Sequence, residues 1–434
     1  MQREKQGVFE EYYEYLQQTV LHKIKENRKG MEEIPELAEE LLEAFTKQVQ
    51  TITIRTLILE MEICEENGML KGAAIQERYE YFSEMFLGNP AYRKEIYEAY
   101  PMLYEGLVQT MDDFVRNMNE LLDRFALDRK ELNRRLYPEN PCREIRKIGG
   151  GGSDSHRHGR WVLLLELDNG ERLVYKPRSM AVDEAYAVFL GWVFENIGMS
   201  CWWYQAWDRG EYGWCQWVSS LSCISREELS RYYYRNGVLL CVSYLLGSED
   251  MHYENLIAHG EYPVIVDLEM TVGSRGAGIE EGMSFTEQFY RDSVLQIGIL
   301  PLYTWNEAGE GVNVGAINGE GGQLVPVVMP VVADPGTVRM HIEYRRPKMG
   351  EGKNLAILNG EFIEPYEFLQ EIIEGFENAY SFFTRQREKT LEMLGLFRNV
   401  SVRYLVRDTQ QYAMMLMTLG HPDLLVRDSD RKLI

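Results

Sequence analysis

The sequence of 434 residues contains no apolar run that approaches the roughly 20 residues needed to cross a membrane. Residues 1–20 are charged and rich in tyrosine, and they lack the apolar core of a signal peptide. These two absences predict a cytoplasmic protein without a membrane span.

Cysteine is scarce as well. The chain has six cysteines, none of them in a C-x-x-C pair, and no second cysteine or histidine stands at zinc-finger spacing. The pattern therefore excludes a structural zinc site of that kind. It predicts reduced and mostly buried thiols, which suit the cytoplasm.

Basic residues are outnumbered by acidic ones. The chain has 46 Lys and Arg against 68 Asp and Glu, which gives a formal net charge of −22 at pH 7. A nucleic-acid backbone requires a basic face, so general nucleic-acid binding is excluded. An acidic chain that binds ATP must instead bring together a few local cations and a metal ion.

Apolar and aromatic residues, at 45% and 12%, are abundant enough for packed cores. Residues 1–137 place apolar side chains at three- and four-residue spacing, which predicts a helical region without chemistry of its own. Beyond residue 138 the pattern becomes mixed, with a hairpin turn predicted at Asp168-Asn169-Gly170. The predicted strands are 142–148, 161–167, 172–176, 256–258 and 264–267, with short strands in 200–223, and the predicted helices are 181–197, 229–246, 366–393 and 403–419.

The first candidate for chemistry is the segment Asp250–Asn255. An aspartate followed five residues later by an asparagine has the spacing of a kinase catalytic loop. There the aspartate orients the attacking hydroxyl and the asparagine oxygen ligates magnesium. Asp267 follows a short apolar strand, where kinases hold a second magnesium ligand. Each element alone is a weak signal.

Their order along the chain is more informative. A glycine-rich loop comes first, then Lys176 at the end of a strand, then a helix that begins with Asp183 and Glu184, and then the Asp250 loop. This is the linear plan of a kinase, in which the lysine contacts phosphates and a helix carboxylate, here Asp183 or Glu184, holds it in place. Either acid could instead cap the helix. The loop predicted to surround ATP phosphates with backbone N–H groups includes Gly150, Gly151, Gly152 and Ser153. Its alternative is a flexible linker.

Several longer motifs resemble the dehydratase domain of class II (LanM-type) lanthipeptide synthetases, in family order over roughly residues 30–430. They are Gly152-Ser153-Asp154-Ser155-His156, Val174-Tyr175-Lys176-Pro177-Arg178-Ser179, Asp250-Met251-His252-Tyr253-Glu254-Asn255-Leu256-Ile257-Ala258, Val266-Asp267-Leu268-Glu269, Ser293-Val294-Leu295 with Gly298-Ile299-Leu300-Pro301, Gly375-Phe376 with Tyr380, and Arg403-Tyr404-Leu405-Val406-Arg407-Asp408-Thr409 with Tyr412.

The resemblance implies an α+β fold with a lipid- or protein-kinase-like bilobal catalytic core. Its expected parts are a helical N-terminal region at 1–137, an N-lobe at 138–225, and a C-lobe with C-terminal helices at 226–434. It also implies a bacterial cytoplasmic enzyme. That enzyme uses ATP and Mg²⁺ to phosphorylate Ser and Thr of a ribosomal precursor peptide, and then eliminates the phosphate to leave dehydroalanine or dehydrobutyrine.

The resemblance also assigns roles to residues. It places Lys176 at the ATP phosphates, Asp250 and His252 in phosphorylation, and metal at Asn255 and Asp267. We also expect Glu184 at the ATP site and Glu269 as a further metal ligand. Around phosphate activation and elimination it places four residues: Asp154, His156, Arg403 and Thr409.

Synthetases of this class continue into a zinc-dependent cyclase, whose cysteine–histidine set has no counterpart in this sequence, so thioether ring formation is not predicted. The expected partners are a precursor peptide with a leader and a Ser/Thr-rich core, and a separate cyclase or a missing C-terminal region. Two alternatives stay open. One is a stand-alone kinase that does not eliminate phosphate, and the other is a truncated remnant that only binds the peptide.

Overall fold

A computed structural model describes residues 8–28, 35–151, 157–273, 284–305, 309, 311–325, 327–403 and 409–432. The chain forms two compact units. The first comprises Met1–Pro177, Pro330–Arg345 and Leu405–Ile434, and the second comprises Arg178–Met329 and Arg346–Tyr404.

The chain contains both helices and short strands, which confirms the expected α+β class. The helices are α1 Glu10–Asn27, α2 Glu39–Glu66, α3 Ile75–Phe82, α4 Pro90–Ala99, α5 Pro101–Leu136, α6 Ala181–Asn196, α7 Arg226–Leu246, α8 Phe285–Arg291, α9 Leu369–Arg385, α10 Arg387–Leu394, α11 Thr409–Leu419 and α12 Asp428–Arg431. The strands are β1 Glu36–Leu37, β2 Ile145–Gly150, β3 Leu163–Leu167, β4 Arg172–Lys176, β5 Ala206–Asp208, β6 Gly213–Gln216, β7 Leu256–His259, β8 Tyr262–Ile265, β9 Tyr303–Trp305, β10 Gly311–Asn313, β11 Met329–Ala333, β12 His341–Arg345, β13 Ile357–Leu358 and β14 Glu361–Phe362.

Long helices dominate the first unit, as the apolar spacing predicts. Helices α2 and α5 pack together through an apolar stripe, in which the rings of Phe45 and Phe114 lie 4.8 Å apart. Strands β2, β3 and β4 form an antiparallel sheet, and β1 adds to β2 in parallel. The predicted hairpin turn is confirmed between β3 and β4, where Gly170 has a φ of 84°.

Gly150, which we expect in the phosphate-binding loop, lies instead at the end of strand β2. Gly149 and Gly150 belong to β2 and pair with Leu164 and Leu163 of β3. Gly150 has a φ of 105°, and a Cβ there would lie 2.6 Å from the carbonyl oxygen of Val162. A Cβ on Gly151 would lie 2.7 Å from the side chain of Ala44 on α2. Close packing therefore explains why these two positions are glycine.

Helix α7 is the centre of the second unit and is buried on nearly every side. It crosses α9 at two glycines. A Cβ on Gly237 would lie 2.0 Å from the carbonyl oxygen of Ile372, and a Cβ on Gly375 would lie 2.0 Å from that of Tyr234. The backbones of the two helices can approach so closely only because both positions lack a side chain. The crossing fixes the helix that leads directly into residues 248–255.

Helix boundaries differ from expectation where a cap or a turn decides them. Helix α7 begins three residues earlier than predicted because the Ser225 side chain accepts a hydrogen bond from the Glu228 N–H. The C-terminal helix expected from Arg403 begins at Thr409, and Arg403 itself is not helical. No helix in the described part of the chain is long and apolar enough to cross a membrane.

Candidate functional site

The loop Asp250–Asn255 follows α7, which ends at Gly247 in the left-handed conformation. Asp250 is also left-handed, with a φ of 64°, a conformation that aspartate tolerates better than most residues. The Asn255 side-chain amide donates to the carbonyl oxygen of Asp250 at 2.7 Å, and the Asn255 N–H donates to the carbonyl of His252 at 3.0 Å. The loop is thus closed by hydrogen bonds between its own two ends.

Backbone hydrogen bonds also attach this loop to two neighbouring segments. The N–H of Met251 donates to the carbonyl of Ile297 at 2.9 Å, and the N–H of Tyr253 donates to that of Val314 at 3.0 Å. Gly298, with a φ of 89°, lies directly behind the loop, since a Cβ there would be 3.2 Å from the Met251 carbonyl carbon. The loop is therefore held from behind while its polar side chains remain accessible.

The His252 ring lies between two carboxylates. Its Nε2 atom is 3.5 Å from Asp250 Oδ1, and its Nδ1 atom is 3.9 Å from Glu254 Oε2. The Glu254 N–H donates to Nδ1 at 3.3 Å, and the side-chain nitrogen of Asn255 lies 3.4 Å from Nε2. Asp250 is about half exposed, with 53% of its side chain accessible. Its carboxylate is therefore a proton acceptor that faces solvent beside a histidine.

The β7–β8 hairpin brings Asp267 beside this loop. Leu256 pairs with Ile265, and the pairing continues with the Val266 N–H donating to the Asn255 carbonyl at 2.8 Å. Strand β8 ends at Ile265, so the expectation of a strand through Asp267 is wrong by two residues. Asp267 lies in the following turn, where its Oδ1 accepts the N–H of Glu269 at 3.1 Å. The amide of Asn255 and the carboxylate of Asp267 thus belong to adjacent backbone segments.

A single guanidinium contacts three carboxylates of the second unit. Arg178 lies 2.7 Å from Asp183 Oδ2, 3.0 Å from Glu269 Oε1 and 3.5 Å from Asp267 Oδ1. Burial of Arg178 opposes its charge, but the attraction of Asp183 and of the other two acids outweighs that cost and raises the pKa of Arg178. Sequence reasoning assigns no role to this residue. The signal that could have found it is its position two residues after Lys176, within the same motif.

The two acids at the start of α6 have different surroundings. Asp183 is fully buried and also accepts a hydrogen bond from the Tyr204 hydroxyl at 2.7 Å. Burial and the nearby Asp183 charge raise the pKa of Tyr204. Glu184 accepts the N–H of Asp208 at 3.1 Å. Asp183 is thus bound to Arg178, and the expectation that one of these acids holds Lys176 stays a prediction.

Arg403 adds a second cation to this cluster. Its N–H donates to the Glu269 carbonyl at 2.9 Å, and its guanidinium lies 3.9 Å from Glu269 Oε2. Arg403 is 36% exposed, so its positive charge is accessible to an anion. The structure therefore brings together the expected residues Asp250, His252, Asn255, Asp267, Glu269 and Arg403 within the second unit.

The remaining expected residues lie elsewhere or cannot be described. Lys176 is the last residue of β4 in the first unit, and it is buried. Thr409 begins α11, but its side chain is outside the described set. Gly152, Ser153, Asp154 and His156 fall outside the described residues altogether.

A metal ion at this site would depend on few protein ligands. No group of three or more His, Cys, Asp or Glu side chains suited to a metal ion occurs among the described residues. The amide of Asn255 with the carboxylates of Asp267 and Glu269 is nevertheless an all-oxygen donor set. Mg²⁺ commonly binds one or two carboxylates and completes its shell with water and substrate phosphates. The donor chemistry therefore fits a magnesium ion whose remaining positions are filled by water or by a phosphate ligand.

Two comparisons identify relatives of the chain. Residues 100–434 match the family of the domain of unknown function DUF4135, and the chain belongs to that family. It is also similar to the lacticin 481/lactococcin biosynthesis protein LcnDR2 of Lactococcus lactis subsp. lactis, with 26% identity over 391 residues. The alignment covers 86% of this chain and 42% of LcnDR2, so the chain spans about two fifths of the length of that relative.

Proposed function

We propose that the chain catalyses ATP- and Mg²⁺-dependent dehydration of Ser and Thr residues in a ribosomally synthesised precursor peptide of lanthipeptide biosynthesis. The observation that carries the proposal is the closed Asp250–Asn255 loop beside Asp267, with a histidine and an accessible arginine adjacent. The similarity to a lacticin biosynthesis protein supports the substrate class. A bilobal kinase-like core with lobes at 138–225 and 226–434 is part of this proposal.

In the first half-reaction, the peptide hydroxyl attacks the terminal phosphorus of ATP, and the bond from that phosphorus to ADP breaks. Asp250 accepts the hydroxyl proton or orients it, because its carboxylate is accessible and its backbone is held in place at both ends of the loop. His252 orients the Asp250 carboxylate through its Nε2 side. Lys176 contacts ATP phosphates. Asn255, Asp267 and Glu269 would hold Mg²⁺, and the ion would neutralise phosphate charge when bound.

In the second half-reaction, a base removes the α-proton of the phosphorylated residue, the Cβ–O bond breaks, and inorganic phosphate leaves with the bonding electrons. The departing phosphate needs an accessible cation to stabilise its charge. Arg403 supplies an accessible planar guanidinium for this purpose. Lys176 is the candidate base, and it would alternate between ATP binding and proton abstraction. If Lys176→Ala still eliminates phosphate from a pre-phosphorylated peptide, that role for Lys176 is excluded.

A single incubation tests the proposal against its two alternatives. The chain is mixed with the precursor peptide encoded next to it, ATP and Mg²⁺, and the peptide is analysed by mass spectrometry. Loss of water from the peptide supports dehydration, whereas a stable gain of phosphate indicates a kinase without elimination. An unchanged peptide indicates a chain that only binds it.

A matched pair of variants makes the test specific to the site. Asp250→Asn preserves the left-handed backbone but removes the proton acceptor, and we expect it to lower phosphorylation by roughly 10²- to 10⁴-fold. Asp334 has the same kind of backbone, with a φ of 49°, in the first unit. Asp334→Asn should leave the peptide reaction unchanged. An equal loss of peptide phosphorylation in the two variants would contradict a catalytic role for Asp250.

A further inference from the structure

The three carboxylates around Arg178 differ in how tightly they are held. Asp183 is fully buried, is bound by Arg178 at 2.7 Å, and receives a second hydrogen bond from Tyr204. Glu269 is nearly buried and lies 3.0 Å from the Arg178 Nε atom. Asp267 is 45% exposed and lies 3.5 Å from the guanidinium, beyond a good hydrogen-bond distance. The contacts weaken from the buried end of the cluster toward the solvent.

The buried contacts fix the position of the guanidinium. The Asp183 carboxylate cannot turn away, because one of its oxygens is held by Tyr204 and the other by Arg178. Arg178 also donates to the carbonyl of Ser179 at 2.9 Å. The guanidinium plane therefore presents its Nε edge to Glu269 and one terminal nitrogen toward Asp267.

We propose that Arg178 is a positioning residue of the divalent-cation site. Its guanidinium holds Glu269 in place and keeps the Asp267 carboxylate turned toward the cluster. A bound cation then replaces Arg178 at Asp267, while the contacts of Arg178 with Asp183 and Glu269 persist. This inference rests on the proposed function, because it requires a metal site at Asp267.

The shape of arginine, and not only its charge, is required for this role. Arg178 reaches Asp183 through one terminal nitrogen and Glu269 through Nε, so two edges of one rigid plane serve acids that are far apart in sequence. Lysine has a single compact ammonium group, which cannot serve both acids in this arrangement. Arg178→Lys therefore keeps the positive charge but releases Glu269 or Asp183.

The experiment measures Mn²⁺ binding by the full chain without nucleotide, using the electron paramagnetic resonance signal of free Mn²⁺. We expect Arg178→Lys to raise the Kd for Mn²⁺ by about 10-fold or more, which is the usual effect of losing a group that orients a metal ligand. Arg235→Lys is the matched control. Arg235 is another buried arginine of the second unit, bound to Glu261 and Ser200. Its replacement should lower the melting temperature without changing the Kd.

Asp267→Asn separates failure of this inference from failure of the proposed function. If wild-type chain binds Mn²⁺ and Asp267→Asn does not, the metal site exists. An unchanged Kd in Arg178→Lys, or the same change in Arg235→Lys, then overturns the role of Arg178 alone. If wild type does not bind Mn²⁺, or Asp267→Asn binds it equally well, both the metal site and the role of Arg178 are overturned.

A second variant covers the case in which Arg178→Lys does not fold. Asp183→Asn keeps the size of the side chain but weakens the anchor of Arg178, so the guanidinium should shift toward Asp267 and compete with Mn²⁺. We expect a raised Kd with a circular dichroism spectrum like that of wild type. A wild-type Kd in a folded Asp183→Asn chain overturns the inference.

Discussion

The side-chain amide of Asn255 donates to the backbone carbonyl of Asp250 at 2.7 Å, so the two ends of the proposed catalytic loop hold each other. The same side chain therefore has two tasks. Its nitrogen shapes the loop, and its oxygen is the atom that we propose as a metal ligand. Loop geometry and metal binding should accordingly respond together when this side chain is changed.

Replacing Asn255 by alanine should remove both tasks at once. We expect phosphorylation of the peptide to fall by roughly 100-fold or more, and the free energy of unfolding to fall by about 1 kcal/mol for the lost hydrogen bond. Asn67 is a matched control, because its side-chain amide donates to the Ile63 carbonyl at 2.8 Å in the first unit. Asn67→Ala should reproduce the loss of stability, measured by urea unfolding, but not the loss of activity.

Replacing Gly298 by alanine should displace the proposed catalytic loop. A Cβ at this position approaches the Met251 backbone at 3.2–3.3 Å, and the φ of 89° is unfavourable for alanine. We expect the free energy of unfolding to fall by about 1–3 kcal/mol and the kcat of the peptide reaction to fall as well. Gly336 has a φ of 74° with open space around its Cα, so Gly336→Ala reports the backbone strain alone. Equal kcat values in the two variants would show that a Cβ against the Met251 backbone does not displace the proposed catalytic loop.

Replacing Gly237 by alanine should separate α7 from α9. The new Cβ would meet the Ile372 carbonyl oxygen at 2.0 Å, which forces the two backbones apart. We expect the second unit to lose about 3 kcal/mol or more, seen as a lowered melting temperature. Gly191 lies within α6, and a Cβ there would meet no atom within 4 Å. Gly191→Ala should therefore stabilise the helix by up to about 1 kcal/mol.

Replacing Arg403 by glutamine should impair the proposed elimination step but not the proposed phosphorylation step. We expect phosphorylation to continue and elimination to slow by about 10²- to 10³-fold, so that phosphorylated peptide accumulates in the mass spectrum. Arg385 is an exposed arginine at the end of α9, and its Nε donates to the Ser381 carbonyl. Arg385→Gln should give dehydrated peptide at the wild-type rate. Full dehydration by Arg403→Gln would exclude the proposed role.

The ion pairs of Glu261 should make stability depend on pH. Burial opposes the charge of Glu261, but hydrogen bonds from Arg231 and Arg235 outweigh it and lower its pKa. A lowered pKa in the folded chain means that the pair stabilises the fold above the ordinary pKa of about 4.5, and this stability is lost as pH falls through the folded value. Glu261→Gln should cost about 1–3 kcal/mol at pH 7. As pH falls below about 4.5 toward the lowered pKa of folded Glu261, the unfolding curve of the variant should approach that of wild type.

Local patterns are sufficient to predict much of the fold. The predicted bounds of β4 are correct and those of α6 agree to within one residue, because the Asn169-Gly170 turn and the acids at Asp183 and Glu184 act within a few residues of each position. The end of β8 is predicted two residues too late because Val266 is apolar. Val266 still donates its N–H to the Asn255 carbonyl, but the regular strand ends before it, which hydropathy does not reveal.

The charge cluster cannot be predicted in the same way. Arg178 and Asp267 are 89 residues apart, so no local spacing relates the pair Arg178 and Asp183 to the pair Asp267 and Glu269. The sequence alone favours a pairing of the α6 acids with Lys176, because that is the pairing expected in kinases. Only the folded backbone brings Arg178 to Asp267 and Glu269. The cluster is a product of tertiary structure. The sequence motifs contain its residues, but they do not show which of these residues are in contact.

The β7–β8 hairpin has a consequence for the order of folding. It joins Asn255 to Asp267 through contacts between residues that are close in sequence, and such contacts form early at little cost in chain entropy. The guanidinium of Arg178 must arrive from a remote segment. We therefore expect the proposed metal ligands Asn255 and Asp267 to be assembled before Arg178 arrives, so that divalent cations should speed refolding of the second unit at low ionic strength.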